Sequence, residues 1–185
     1  MHSIEKVIIA ICLLSLDCSS NHSKNKSDIK VNFEFKEAYQ KLPEIPLPLK
    51  IQTTAENGFV PKIDPTSDET LKSRFGFKGY ASVYGRLFEN DKFCSVLIYL
   101  PTDVGTPVIM TYDNKGVKLD SIALFDYRPA DMMGLISRES AVISKDGLVH
   151  FTDSSTYLDS NDKPFKSEII KKVFTMDATG HFQIK

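Results

Sequence analysis

The side chains best suited to chemistry gather in one short run, Leu148-Val149-His150-Phe151-Thr152-Asp153-Ser154-Ser155. An imidazole, a carboxylate and hydroxyls are the parts of a hydrolytic set: a nucleophile, a base to take its proton and an acid to orient the base. Residues this close on one strand, however, point to opposite faces or fan outward. A triad drawn from one strand would be divided between two surfaces, so His150 is expected on the solvent face. His181 is the other histidine far from the N-terminus, since His22 sits in a polar stretch near it. A small hydrolase using His150 or His181 is the catalytic alternative. No catalytic residue is assigned.

Other chemical signatures are missing. The chain has no Gly-x-Ser-x-Gly elbow, no glycine-rich phosphate loop, no paired-cysteine zinc pattern and no His-Glu-x-x-His. The sequence therefore implies no cofactor and no metal. Asp153, Asp159, Asn161 and Asp162, with Ser154, Ser155, Thr156 and Ser160 between them, read as an oxygen-rich loop. Calcium takes roughly six to eight oxygens, but this loop lacks the glycine and terminal glutamate of the EF-hand register. A solvated hairpin connection is the expectation. Cys94 lies in Phe93-Cys94-Ser95-Val96-Leu97-Ile98-Tyr99-Leu100, apolar enough for a buried strand, where a free cysteine behaves as a small hydrophobe.

One connection has the composition of a contact surface. Asp126-Tyr127-Arg128-Pro129-Ala130-Asp131-Met132-Met133-Gly134-Leu135-Ile136 is long for a hairpin loop. Tyr, Arg and Met are enriched in interfaces while Lys and Glu are depleted. Tyr127, Arg128, Met132 and Met133 are thus the candidate partner-binding residues. The opposing expectation is that Met132, Leu135 and Ile136 fold down onto the core.

The first eighteen residues concern location. Val7 to Leu16 is an almost wholly apolar run of ten residues, preceded by Lys6 and followed by Cys18 and the polar stretch Ser19 to Ser27. A membrane-spanning helix needs about 20 residues, so the run is read as the core of an export signal. The arrangement resembles a bacterial lipoprotein signal peptide, which implies that Cys18 becomes the acylated first residue of the mature chain. Asp17 before the cysteine and Ser15 depart from the usual lipobox. The polar stretch then serves as a tether, letting a lipid-anchored domain stand off a bilayer. If Cys18 is acylated, Cys94 has no intramolecular partner; if not, a Cys18–Cys94 bridge is open.

Composition narrows the rest. Lys and Arg number 23 and Asp and Glu 24, and removing Lys6, Glu5 and Asp17 with the leader leaves 22 of each sign. A formally neutral, exported chain does not fit a nucleic-acid binder. Twelve Phe, seven Tyr and no Trp suit a β-rich interior. The organisation expected is an export signal over 1–17, a flexible tether over 18–28 and a single β-rich domain over 29–185.

Within that domain, residues 29–78 form an irregular section carrying Pro43, Pro46, Pro48, Pro61 and Pro65. Ile29 to Phe35 alternates as a strand. Phe35 to Leu42 spaces apolar residues at three and four, a helix that Pro43 would end. Leu47 to Thr53 alternates again, but its prolines confine it to an edge strand or extended segment. Thr66 to Glu69 has capping-box spacing before a short helix reaching Arg74. From Tyr80 onward an antiparallel meander is expected, with strands Tyr80–Phe88, Phe93–Leu100, Pro107–Tyr112, Val117–Phe125, Glu139–Ser144, Leu148–Thr152, Glu168–Met176 and His181–Ile184. Tight Asp-, Asn- and Gly-bearing turns separate several of them. The fold class predicted is all-β with minor α, a meander closing as a sandwich or partly closed barrel. Expected core residues are Phe93, Val96, Ile98, Leu100, Val108, Met110, Leu119, Val142, Val173 and Phe174.

Gly116, Gly147 and Gly180 stand 31 and 33 residues apart, a spacing that a propeller-like structural subunit or any long meander would give. Tyr84-Gly85-Arg86-Leu87, Phe93 to Leu100 and the run from Val108 to Ile122 contain a hydrophobic strand, a Tyr-Asp-x-x-Gly hairpin and an Asp-Ser pair. With Leu42 to Leu49 before them, these resemble a pattern in secreted lipoproteins of Bacteroidetes-type bacteria, over roughly residues 42–125. The resemblance implies a cell-envelope compartment and a β-rich fold, and lends no catalytic residues. The function expected is that of a lipid-anchored envelope protein, a non-catalytic binding domain on the outer side of a bacterial membrane (periplasmic or at the cell surface). Its partners would be the membrane, through the anchor, and an envelope protein or glycan.

Overall fold

The computed structural model describes residues 34–54, 58–59, 66–75, 81–100, 106–125 and 134–185. Among these residues ten strands form two antiparallel sheets, and two short helices lie outside them. In chain order these are helix α1 over 34–41, β1 (Leu49–Thr54), β2 (Gly58–Phe59), α2 (Glu69–Arg74), β3 (Ser82–Glu89), β4 (Phe93–Leu100), β5 (Thr106–Asp113), β6 (Lys118–Ala123), β7 (Leu135–Ile143), β8 (Leu148–Leu158), β9 (Pro164–Met176) and β10 (Phe182–Ile184). One sheet is the meander β3-β4-β5-β6; the other runs β10-β9-β8-β7-β1-β2. The architecture is a sandwich, and neither sheet closes into a barrel.

The four-stranded sheet is buried on both faces, which explains why β4 and β5 read as continuous apolar runs. On one face Cys94, Val96, Ile98, Val108, Met110 and Tyr112 meet Phe35, Ala38, Tyr39 and Leu42 of α1 and its C-terminal end, and Phe75 after α2. Those α1 positions fall three or four apart, so a single stripe of the helix faces the sheet. On the opposite face Leu97, Ile109 and Ile122 pack against Ile51, Ala141, Ile143, Val149 and Phe151 of the six-stranded sheet.

Phe93, Val96, Ile98, Val108 and Met110 are core as expected, while Leu100 and Phe174 are half-buried and pack on it. Leu119, Val142 and Val173 are only half-buried. Val142 and Val173 flank His150 on the outer face of their sheet, because Ala141, Ile143 and Phe174 took the inward register.

Several expectations change. Glu34 and Phe35 belong to α1, so the strand expected over Ile29–Phe35 does not include them, and residues 29–33 lie outside the described set. The cap of α2 is Asp68, whose carboxylate accepts the Thr70 amide at 2.8 Å, while Thr66 accepts the Asp68 amide one step earlier. Ser154, Ser155 and Thr156 are strand residues of β8, and Leu135 and Ile136 begin β7. Both hairpins are longer than the sequence pattern suggested, because polar alternation continued them.

The recurring glycines mark one turn type. Gly116, Gly147 and Gly180 have positive φ, and Asp162 takes the same conformation at φ 59° in the β8–β9 turn. In three of these turns an aspartate Oδ1 accepts two amides: Asp113 from Lys115 and Val117, Asp159 from Asn161 and Lys163, Asp177 from Thr179 and His181. The turn after β5 belongs to one sheet and those after β7 and β9 to the other. The spacing therefore repeats a turn and not a propeller blade.

Candidate functional site

The inner face of the six-stranded sheet changes character along its length. Ile143, Val149 and Phe151 give way to Glu139, Asp153, Ser137 and Ser155 along β7 and β8. Continuing the alternation of β8 from Val149 through Phe151 puts Asp153 and Ser155 on this same face. Asp153 and Ser155 are 2% and 1% exposed, and Glu139 is 8% exposed. Such burial demands hydrogen bonds. Asp153 Oδ1 accepts the Ser137 hydroxyl at 2.9 Å and the Ser155 hydroxyl at 3.1 Å. Thr53 on β1 donates its hydroxyl to the Glu139 carbonyl at 3.2 Å and accepts the Glu139 amide at 2.9 Å. On β9, Lys172 and Glu168 lie opposite Phe151 and Ser155, and the Lys172 ammonium sits 5.6 Å from the Phe151 ring centre.

This cluster was not singled out in the sequence, although the period-two register carried the signal. Chemically it is a set of carboxylates and hydroxyls. Both serine protons point at a carboxylate, and among the described residues no histidine stands beside them to act as base. Among the described residues no group of three or more His, Cys, Asp or Glu is arranged to hold a metal ion.

The hydrolytic set from one strand does not assemble. His150 is exposed on the outer face, across from Val142 and Val173, while Asp153 is buried on the inner face and Ser154 points outward again. His181 stands 3.9 Å from Asp120 Oδ2 at the β9–β10 turn, but that carboxylate oxygen already accepts the Phe182 amide at 2.8 Å. Cys94 is buried under α1, and burial, reinforced by Glu89 and Asp113, pushes its thiol up to about 12. It is a core residue beneath an open cleft rimmed by Lys36, Glu89, Asp91 and Asn114.

Cys18, Tyr127, Arg128, Met132 and Met133 lie outside the described residues. The ends of the loop that carries the last four are placed. It leaves the four-stranded sheet after buried Phe125 and returns at Gly134, whose carbonyl accepts the Leu158 amide. The candidate contact loop is therefore the crossover between the two sheets. Compared with family models, curated proteins and solved structures, the chain gives no match.

Proposed function

We propose that this protein is an exported lipoprotein, anchored through Cys18 on the outer side of a bacterial membrane, whose β-sandwich works by binding an envelope protein or glycan. The observation that carries the reading is the N-terminal pattern: an apolar run of ten residues, Cys18 close behind it, then a polar Ser/Asn/Lys stretch. A single acyl chain gives marginal anchoring, so stable attachment needs more than one. The dispersal of His150, Asp153 and Ser154 over two faces favours recognition over hydrolysis. Tyr127, Arg128, Met132 and Met133 on the crossover loop are the residues proposed to meet the partner.

The deciding experiment is fractionation of the native host with mass analysis of the mature N-terminus. A diacylated or triacylated Cys18 in the membrane fraction is expected, and Cys18→Ala should leave the chain unprocessed or released. A soluble, unmodified mature chain would remove the anchor. For the binding role, Arg128→Ala with Met132→Ala should leave folding intact and abolish capture of the envelope partner that the unaltered chain retains.

A further inference from the structure

Three of the sheet edges are closed or short. Along β3 runs the segment Pro43–Ile45, with the Arg86 amide donating to Pro43 O at 2.9 Å and the Ile45 amide to Arg86 O at 3.0 Å. β6 lies beside β10, joined through Asp120 and Phe182, and β2 has two residues. The exception is β9. It is 13 residues long, and β10 pairs only with Phe174, Thr175 and Met176 before Lys185 donates its amide to Val173 O. Among the described residues nothing lies beside Pro164–Lys172 on that side. Because Val173 O points outward, the alternation of a strand turns the backbone groups of Ser167, Ile169 and Lys171 outward too.

An open edge of that length is a template for another strand unless it is blunted. Pro164 and the lysines of β9 blunt it in part, but they do so in a pattern that favours one partner. Two of the five exposed large hydrophobics among the described residues, Phe165 at 67% and Ile169 at 65%, stand on this edge, two residues either side of Ser167. Lys166 and Glu168 stand one residue either side of it, and within the chain their charges meet at 2.6 Å. An antiparallel copy with a two-fold axis through Ser167 places Phe165 opposite Ile169 and Lys166 opposite Glu168, each twice. The outward backbone groups of Ser167 then face those of its own copy. In the next registers, centred on Glu168 or Lys166, the central pair would be two like charges. This register also ends before β10, which would block any pairing shifted further along the strand.

We infer that β9 is a homodimerisation edge: two copies of the chain join antiparallel about Ser167 to continue the six-stranded sheet into one of twelve strands. The interface is isologous, so one patch serves both subunits. Main-chain hydrogen bonds supply adhesion, as in strand addition generally, and the apolar and charged pairs fix the register. The inference stands independently of the anchor and of the crossover loop.

The test uses the full chain in mild detergent, so that any lipid at Cys18 is accommodated. Sedimentation should show a dimer for the unaltered protein. K166E and E168K each set like charges opposite one another twice and should weaken the dimer by about tenfold or more. A mixture of the two variants pairs opposite charges at all four positions and should dimerise again, an outcome no misfolded variant would give. In the cell, Ser167→Cys should form a disulfide-linked dimer on oxidation, because only the residue on the axis meets itself; Lys171→Cys should not. A monomeric unaltered chain, a dimer indifferent to both reversals, or equal cross-linking at 167 and 171 would each overturn the assignment.

Discussion

Glu139 and Asp153 stand directly opposite one another on β7 and β8, both buried, on the face that elsewhere carries Ile143, Val149 and Phe151. Carboxylates buried in this way need hydrogen-bond partners. Asp153 Oδ1 meets the demand of its burial by accepting the Ser137 and Ser155 hydroxyls.

The worth of these bonds is measurable. Asp153→Ala removes the acceptor of two serine hydroxyls at 2.9 and 3.1 Å, leaving both without it in a buried site. The change should destabilise the fold by about 1–3 kcal/mol in urea denaturation. Asp153→Asn keeps an acceptor oxygen for both serine hydroxyls, so it should cost less than half as much. Equal losses for the two variants would mean that the charge, and not the hydrogen bonding, holds the cluster together.

Much of this architecture is legible in the sequence, and the reason differs between its parts. Phe93–Leu100 is read to the residue because both ends carry turn chemistry and every position between is apolar or small. Phe35 to Leu42 shows helical spacing because α1 buries a single face. Asp153 was misread as a loop residue because aspartate and serine dominate turns, and only the continued alternation from Val149 reveals a strand. The choice between Val142 and its neighbours Ala141 and Ile143 was undecidable locally, since apolar residues fill both parities there and the covering sheet selects one. Division of the meander into two sheets is likewise a long-range outcome, set at the crossover after Phe125.

Cys94 should be inert. With its thiol pushed up to about 12, chiefly by burial, it carries almost no thiolate at pH 8. Alkylating reagents at that pH should leave it unmodified in the native protein and label it fully in denaturant. Labelling of the native chain at a rate near that of a free thiol would contradict the packing of α1 over β4.

Gly85 is required by a close approach. A Cβ there would stand 2.3 Å from the carbonyl oxygen of Pro43, which itself accepts the Arg86 amide. Backbone cannot rotate away as a side chain can, so Gly85→Ala must displace the segment Pro43–Ile45 from β3. A loss of about 1–3 kcal/mol is expected from the forced shift. Hydrogen exchange should locate it, with the amides of Ile45 and Arg86 losing protection before those of β4. Unchanged protection at both would show that the segment is not held as described.

The β9–β10 turn should titrate at unusually low pH. Asp177 is held down to about 2, first by the Thr179 hydroxyl at 2.7 Å, then by the His181 and Thr179 amides, with the charge of His181 the smallest contribution. A carboxylate whose folded value lies below its unfolded one stabilises the fold fully above the unfolded value, near 4, and the contribution is lost as pH falls through 2. The turn should therefore stay intact at pH 4 and loosen between about pH 4 and 2. A carboxyl-carbon NMR titration should give a midpoint near 2 for Asp177. Thr179→Ala removes the leading cause and should move that midpoint up toward the ordinary carboxylate range, whereas His181→Ala, which keeps the amide, should move it little. A larger effect from His181→Ala than from Thr179→Ala would show that charge, and not the turn's own hydrogen bonds, sets the acidity of Asp177.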